Sequence, residues 1–172
     1  MNLMMIRKAI LSDYVTLSQI STATFYETYV QINPENSAVL QAYVDETFNE
    51  EKILIELRKK EVAFYLLEIE NQIIGYAKTV ELSGYPRIEI EKLYLMKGHI
   101  GQGLGKKLFL HIKNLAVIHE KKSICLSVYD QNKAAIDFYL QLGFNKISEK
   151  DFTFNWNGQE YKDQDWILEL IL

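Results

Sequence analysis

The chain has 172 residues, 48% apolar and 24% charged, with 19 Lys/Arg against 23 Asp/Glu. That length and mix suit one domain, residues 1–172, with a substantial core, and they exclude a disordered or membrane-embedded chain. The net charge of −4 argues against nucleic acid as a partner, and the single Cys125 excludes an internal disulfide framework.

Met1 to Ile10 carries Arg7 and Lys8 with no long apolar run behind it, so no signal peptide is expected. No stretch of 18 apolar residues occurs, so no membrane span is expected and a cytoplasmic protein is the expectation. Met4–Ala9 reads as a short strand. Ser12-Asp13 offers an N-cap for a helix with apolar positions Val15, Leu17, Ile20 and Ala23. A second helix follows Pro34 through Ala38, Val39, Ala42 and Tyr43, and a third spans Glu50–Lys60 with Ile53, Leu54 and Leu57 on one face.

A β region comes next. Ala63–Ile69 is rich in strand formers, Glu70-Asn71-Gln72 is a turn, and Ile73–Val80 returns as the hairpin partner. Ile88–Leu95 alternates and makes a further strand. After Gly105, the positions Leu108, Phe109, Ile112, Leu115 and Ala116 keep the helical period. Ser123–Tyr129 reads as a strand, Asn132 caps a short helix that Gly143 ends, and Phe152–Trp156 and Asp165–Ile171 close the sheet. The order β-α-α-α-β-β-β-α-β-α-β-β predicts an α/β domain with a mixed sheet.

Charge is unevenly distributed along this order. Residues 27–91 hold 13 Asp/Glu and 6 Lys/Arg, whereas residues 92–149 hold 4 acidic and 9 basic side chains. One part would suit a cationic ligand and the other an anionic one.

The segment Gly101-Gln102-Gly103-Leu104-Gly105-Lys106 lies between a strand and a helix, where glycines let backbone N–H groups converge and the helix N-terminus favours an anion. Lys106 and Lys107 in the first turn oppose the helix dipole unless an anion lies nearby. Two phosphate-binding patterns do not fit. Ile100 and Lys107 stand where a Walker A loop needs Gly and Ser/Thr, and Lys106 stands where a dinucleotide fingerprint needs Gly.

Taken with Asn132, Ala135, Phe138, Tyr139, Gly143 and Phe144 in the spacing N-x-x-A-x-x-F-Y-x-x-x-G-F, the loop resembles the GNAT superfamily of acetyl-CoA-dependent N-acetyltransferases. The resemblance implies the GNAT acyl-CoA N-acyltransferase fold, a mixed central sheet flanked by helices on both faces. It also implies acetyl-CoA as co-substrate. Ile100 departs from the family's Gln/Arg at the start of the loop. Thr24–Tyr29, Ala42–Val44 with Thr47–Asn49, and Ile88–Leu95 are similar to the PaiA-type spermidine/spermine N-acetyltransferases.

The resemblance implies roles for named residues. Leu93, Tyr94 and Leu95 would meet the pantetheine arm through their main chain, with an N–H on the thioester oxygen. Gly101, Gln102, Gly103, Leu104, Gly105 and Lys106 would hold the pyrophosphate, and Asn132, Ala135 and Phe138 would also meet the cofactor. Glu89, four residues before Leu93, would be the general base, acting through water, because an aliphatic ammonium with a pKa near 10.4 must lose a proton before it attacks. Tyr139 would protonate the leaving thiolate.

Tyr26, Glu27, Tyr29 and Glu91 are the candidates for binding a cationic acceptor, by aromatic faces and charge. Phe25 reads as helix core. Cys125 reads as a core residue, and His99, His111 and His119 lack metal-ligand spacing, so no metal is expected. The expected activity is direct acetyl transfer to a primary amine, a polyamine first. Acceptors of another kind (a protein N-terminus, a lysine, an amine antibiotic) and an acetyl-CoA-sensing module without turnover stay open, as does a homodimer.

Overall fold

A computed structural model of the chain describes residues 3–172; Met1 and Asn2, the start of the stretch read for an address signal, lie outside it. The elements are β1 (Met4–Lys8), α1 (Tyr14–Ile32), α2 (Ser37–Thr47), α3 (Glu50–Arg58), β2 (Val62–Ile69), β3 (Gln72–Glu81), β4 (Arg87–Leu95), α4 (Leu104–Ile118), β5 (Ser123–Tyr129), α5 (Lys133–Gln141), β6 (Asn145–Trp156) and β7 (Gln159–Ile171). This is the predicted order. No helix of the described residues is long and apolar enough to cross a membrane.

The seven strands form one mixed sheet in the order β1-β2-β3-β4-β5-β7-β6, antiparallel throughout except for the parallel pair β4–β5. Helices cover both faces, as expected. On one face Leu17, Ile20 and Phe25 of α1 pack with Val44, Ile53, Phe64 and Tyr76. On the other, Leu108, Phe109 and Ile112 of α4 and Ile136 of α5 pack on Ile88, Ile90, Ile124 and Leu126. Apolar positions at helical spacing thus meet strand positions of period two, and removing this surface from water is the main stabilising term.

Local chemistry sets several boundaries. Asn49 accepts the Lys52 N–H at 3.0 Å and caps α3, while Asn132 accepts the Ala135 N–H at 3.2 Å and caps α5. Asp13 does not make the expected cap on α1. Its carboxylate takes the Arg7 guanidinium at 2.8 and 2.9 Å and the Ile10 N–H at 2.7 Å, and Arg7 also reaches Glu68 at 2.6 Å, tying the start of α1 to β1 and β2. A charged partner outcompetes a helix amide for the same oxygens.

The last two strands are longer than their apolar patterns predict. Asn157 and Gly158, with φ of 50° and 74°, form the tight turn between β6 and β7, a conformation that suits the right-handed twist of a hairpin. The Asn-Gly pair was the signal for that longer hairpin. β3 also contains a necessary glycine: a Cβ on Gly75 would lie 2.8 Å from the Tyr94 carbonyl oxygen on the adjacent strand.

Candidate active site

Two irregularities in β4 create the site. Its pairing with β5 covers only Arg87–Glu89 against Ser123–Cys125, while β5 stays paired with β7 as far as Tyr129 opposite Asp165. The two parallel strands therefore part after Glu89, and the β4 backbone from Ile90 to Leu95 has no partner on that edge among the described residues. Such an edge offers N–H and C=O groups to a ligand.

The second irregularity is a bulge. Lys78 pairs with Lys92 and Thr79 with Ile90, which leaves Glu91 as the extra residue. The face pattern slips accordingly: Ile88, Ile90 and Leu93 all belong to the α4 side. Glu89, Glu91, Lys92 and Tyr94 consequently all line a cavity on the α1 side.

At the open end of the wedge lies the glycine loop. Gly101 and Gly103 adopt φ of 82° and 75°, the region only glycine occupies freely, and open space surrounds both α-carbons. The first helical bond of α4 runs from the Lys107 N–H to the Gly103 carbonyl at 3.2 Å. The N–H groups of Leu104, Gly105 and Lys106 precede it and stay available, with the exposed Lys106 and Lys107 ammonium groups beside them. A Cβ on Gly105 would touch the Phe138 ring at 3.6 Å and Leu95 at 3.8 Å. The loop, the end of β4 and α5 therefore converge.

Gln102 is exposed and donates to the Gly98 carbonyl at 3.0 Å, and Leu104 is buried against Leu67 and Ile74 with Leu95. Leu93, Ala135 and Phe138 border the core on the α4 side. Ile100, in the departing position of the loop, is exposed.

The cavity on the α1 side measures about 710 Å³. Its walls come from α1 (Ser21, Phe25, Tyr29), α2 (Tyr43, Glu46), α3 (Glu56), β3 and β4, and the β6–β7 hairpin (Phe152, Phe154, Asp163, Asp165). Aromatic rings dominate: Phe25 stacks on Tyr29 at 4.3 Å and on Tyr43 at 5.2 Å, and Tyr43 meets Phe154 edge-on at 5.3 Å. Asn33 donates to the Tyr129 hydroxyl at 3.0 Å, joining the end of α1 to β5. Ser21 and Tyr76, both fully buried, present hydroxyls without a hydrogen-bond partner among the described residues.

Charges within the cavity are mixed, so the division into acidic and basic segments does not carry over cleanly into space. Lys78 pairs with Glu56 at 2.6 Å and with Glu91 at 2.5 Å. Lys52, Lys92, Lys150 and Lys162 reach the same cavity as Glu46, Glu89, Asp163 and Asp165. Burial, reinforced by the neighbouring Glu91, pushes the Glu89 carboxyl above its ordinary 4.5. Burial pushes the Tyr29 phenol up to about 12, against the effect of the adjacent Tyr94 and Asn132 side chains. The Tyr94 phenol is also raised by burial.

Tyr139 lies on α5, buried between Phe138 at 5.1 Å and Phe144 at 5.4 Å, and burial with the nearby Tyr29 raises its pKa strongly. It is not a wall of the cavity on the α1 side.

The candidate acceptor residues separate. Tyr29 and Glu91 line the cavity, whereas Tyr26 and Glu27 do not, and Glu27 is exposed. The cavity face of α1 runs through Ser21, Phe25, Tyr29 and on to Asn33, each four residues on, which turns position 27 away. Phe25 serves both core and cavity. Lys92 and the hairpin residues Phe152, Phe154, Asp163 and Asp165 were not anticipated; the signal for Lys92 was the adjacent charged pair Glu91-Lys92, which interrupts the alternation. Cys125 is buried, its thiol raised by burial, and the described residues contain no cluster suited to a metal ion.

Similarity to known proteins agrees with this geometry. Residues 21–144 match the Acetyltransferase (GNAT) family. An uncharacterised N-acetyltransferase of Lactobacillus delbrueckii subsp. lactis is 31% identical over 150 residues, covering 81% of this chain and 83% of that protein. The spermine/spermidine N(1)-acetyltransferase of Bacillus subtilis is 29% identical over 129 residues, covering 69% and 79%. Among solved structures, the PaiA N-acetyltransferase of Thermoplasma acidophilum in complex with coenzyme A superposes with a TM-score of 0.82 over 99% of both chains at 21% identity. The chain belongs to the GNAT family of acetyltransferases and is an acetyl-CoA-dependent N-acetyltransferase.

Proposed function

We propose that the acceptor is a polyamine such as spermidine or spermine, acetylated on a primary amine by direct transfer within a ternary complex. The observation that carries this reading is the cavity beside the parted strands, lined by aromatic rings and by the carboxylates Glu46, Glu89, Asp163 and Asp165. Rings and carboxylates together suit an alkylammonium chain. The likeness to the Bacillus subtilis enzyme points the same way.

Acetyl-CoA supplies an activated thioester, whose carbonyl carbon gains the C–N bond as the C–S bond breaks. The glycine loop and the N–H groups of Leu104–Lys106 fit its pyrophosphate, and the unpaired edge of β4 fits the amides of its pantetheine arm. A β4 N–H near Leu93 stabilises negative charge on the carbonyl oxygen. Glu89, its proton affinity raised by burial and Glu91, takes the proton of the acceptor ammonium through water. Tyr139, which holds its proton tightly, hands it to the departing thiolate and is restored by the second proton, which the acylated nitrogen sheds.

The test is thiol release from acetyl-CoA by the purified protein with a panel of amines. Turnover is expected with spermidine and spermine. Release with peptides or other amines but with neither polyamine overturns the polyamine assignment.

A further inference from the structure

Lys92 enters the acceptor cavity only because the bulge at Glu91 turns two consecutive side chains to the same face of β4. Its Nζ lies 5.8 Å from the centre of the Phe25 ring and 5.8 Å from that of Phe48. No carboxylate among the described residues comes within ion-pair distance of it. Its cross-strand neighbour Lys78 differs, being held by both Glu56 and Glu91.

The charged groups acting on Lys92 are Glu89 and Glu91 on its own strand, Lys78 on β3 and Asp165 on β7. Burial outweighs the three carboxylates and lowers its proton affinity. A cation beside two neighbouring rings, whose centres lie 5.3 Å apart, occupies a seat that an alkylammonium group would otherwise take. Because the cation is tethered, it competes at a high effective concentration.

We propose that Lys92 is a specificity-determining residue, a resident cation that disfavours acceptors bringing further ammonium groups up to Phe25 and Phe48. The inference rests on the reading that this cavity takes cationic amines. An acceptor with one ammonium beyond its reacting amine can hold it against Asp163 at the hairpin wall. Each additional ammonium brought up to the Phe25 and Phe48 rings meets Lys92 in a poorly solvated space, where like charges repel more strongly than in water. Lys92 therefore narrows the advantage that the cavity's carboxylates give triamines and tetramines over diamines, without removing it.

The experiment is calorimetric binding of butylamine, putrescine, spermidine and spermine to the coenzyme A complex of the wild type, Lys92→Met, Lys92→Gln and Lys92→Arg, with thiol release followed in parallel. Lys92→Met and Lys92→Gln are expected to tighten spermidine and spermine by about tenfold while leaving butylamine within about twofold. Lys92→Arg should keep the wild-type order. Equal changes for all four amines, no tightening for spermidine and spermine, or loss of binding in both neutral variants overturns the proposal. Absence of polyamine turnover in the wild type would instead remove the acceptor assignment, while the binding ratios still decide the role of Lys92.

Discussion

Glu89 stands opposite Cys125 in the last paired position of β4 and β5. One residue further on, the strands no longer pair. A carboxylate at the root of that wedge is close to the exposed strand edge yet shielded from bulk water, and this shielding raises its proton affinity.

Glu89→Gln is therefore expected to lower kcat by about a hundredfold with a smaller change in KM, the range typical for loss of a general base. With the ionised carboxylate as the proposed base, wild-type activity is expected to rise as pH passes through a value above the ordinary 4.5. That limb should vanish in Glu89→Gln. A pH–rate profile that keeps it unchanged would remove Glu89 from the mechanism.

Tyr139→Phe keeps the ring between Phe138 and Phe144 but deletes the hydroxyl. The expected outcome is a fall in kcat of about tenfold to a hundredfold with acetyl-CoA affinity within about twofold. Stopped-flow turnover and direct titration with acetyl-CoA separate the two effects. Equal losses in both would identify a packing role instead.

Gly75→Ala would set a methyl group 2.8 Å from the Tyr94 carbonyl oxygen, so β3 and β4 must move apart. Overpacking of this kind costs about 1–3 kcal/mol. Denaturant unfolding should show that loss. Activity should fall with it, because the displaced strand is the one whose free edge faces the wedge.

The Arg7 guanidinium holds the Asp13 carboxyl below its ordinary 3.8, with the Ile10 N–H adding to the effect. A carboxylate with a depressed folded-state pKa contributes stability that is fully present above the unfolded value and fades as pH falls through the folded one. Asp13→Asn should thus cost about 1–2 kcal/mol at neutral pH. Its deficit should shrink in denaturant titrations performed below pH about 4, where the wild type also loses the contribution.

The order of elements was legible in the chain because each is locally encoded. Apolar residues at helical spacing marked α4, strand formers around Glu70-Asn71 marked the β2–β3 hairpin, and Asn132 with Gly143 bracketed α5. The glycine loop was equally legible, since positive φ at Gly101 and Gly103 is a backbone property that residue type reveals. The spacing from Asn132 to Phe144 then pointed to the family. The sequence placed a cap at Asp13 that does not form, because Arg7, six residues earlier on β1, claims the Asp13 oxygens once the strand and helix have packed.

The cavity on the α1 side was decided by tertiary structure. Its walls come from helices α1 to α3 and from a hairpin that begins 87 residues after α3 ends, brought together by packing that no local period encodes. The helical phase of α1, fixed when Leu17 and Ile20 entered the core, turned Tyr29 inward and Glu27 outward. The bulge at Glu91, fixed by the β3–β4 register, set Lys92 beside Phe25 and Phe48. The sequence by itself determined the elements and the loop suited to an anionic cofactor, because those depend on nearest neighbours along the chain. Which side chains share the cavity depends on register and helix phase, and these exist only once the faces have packed.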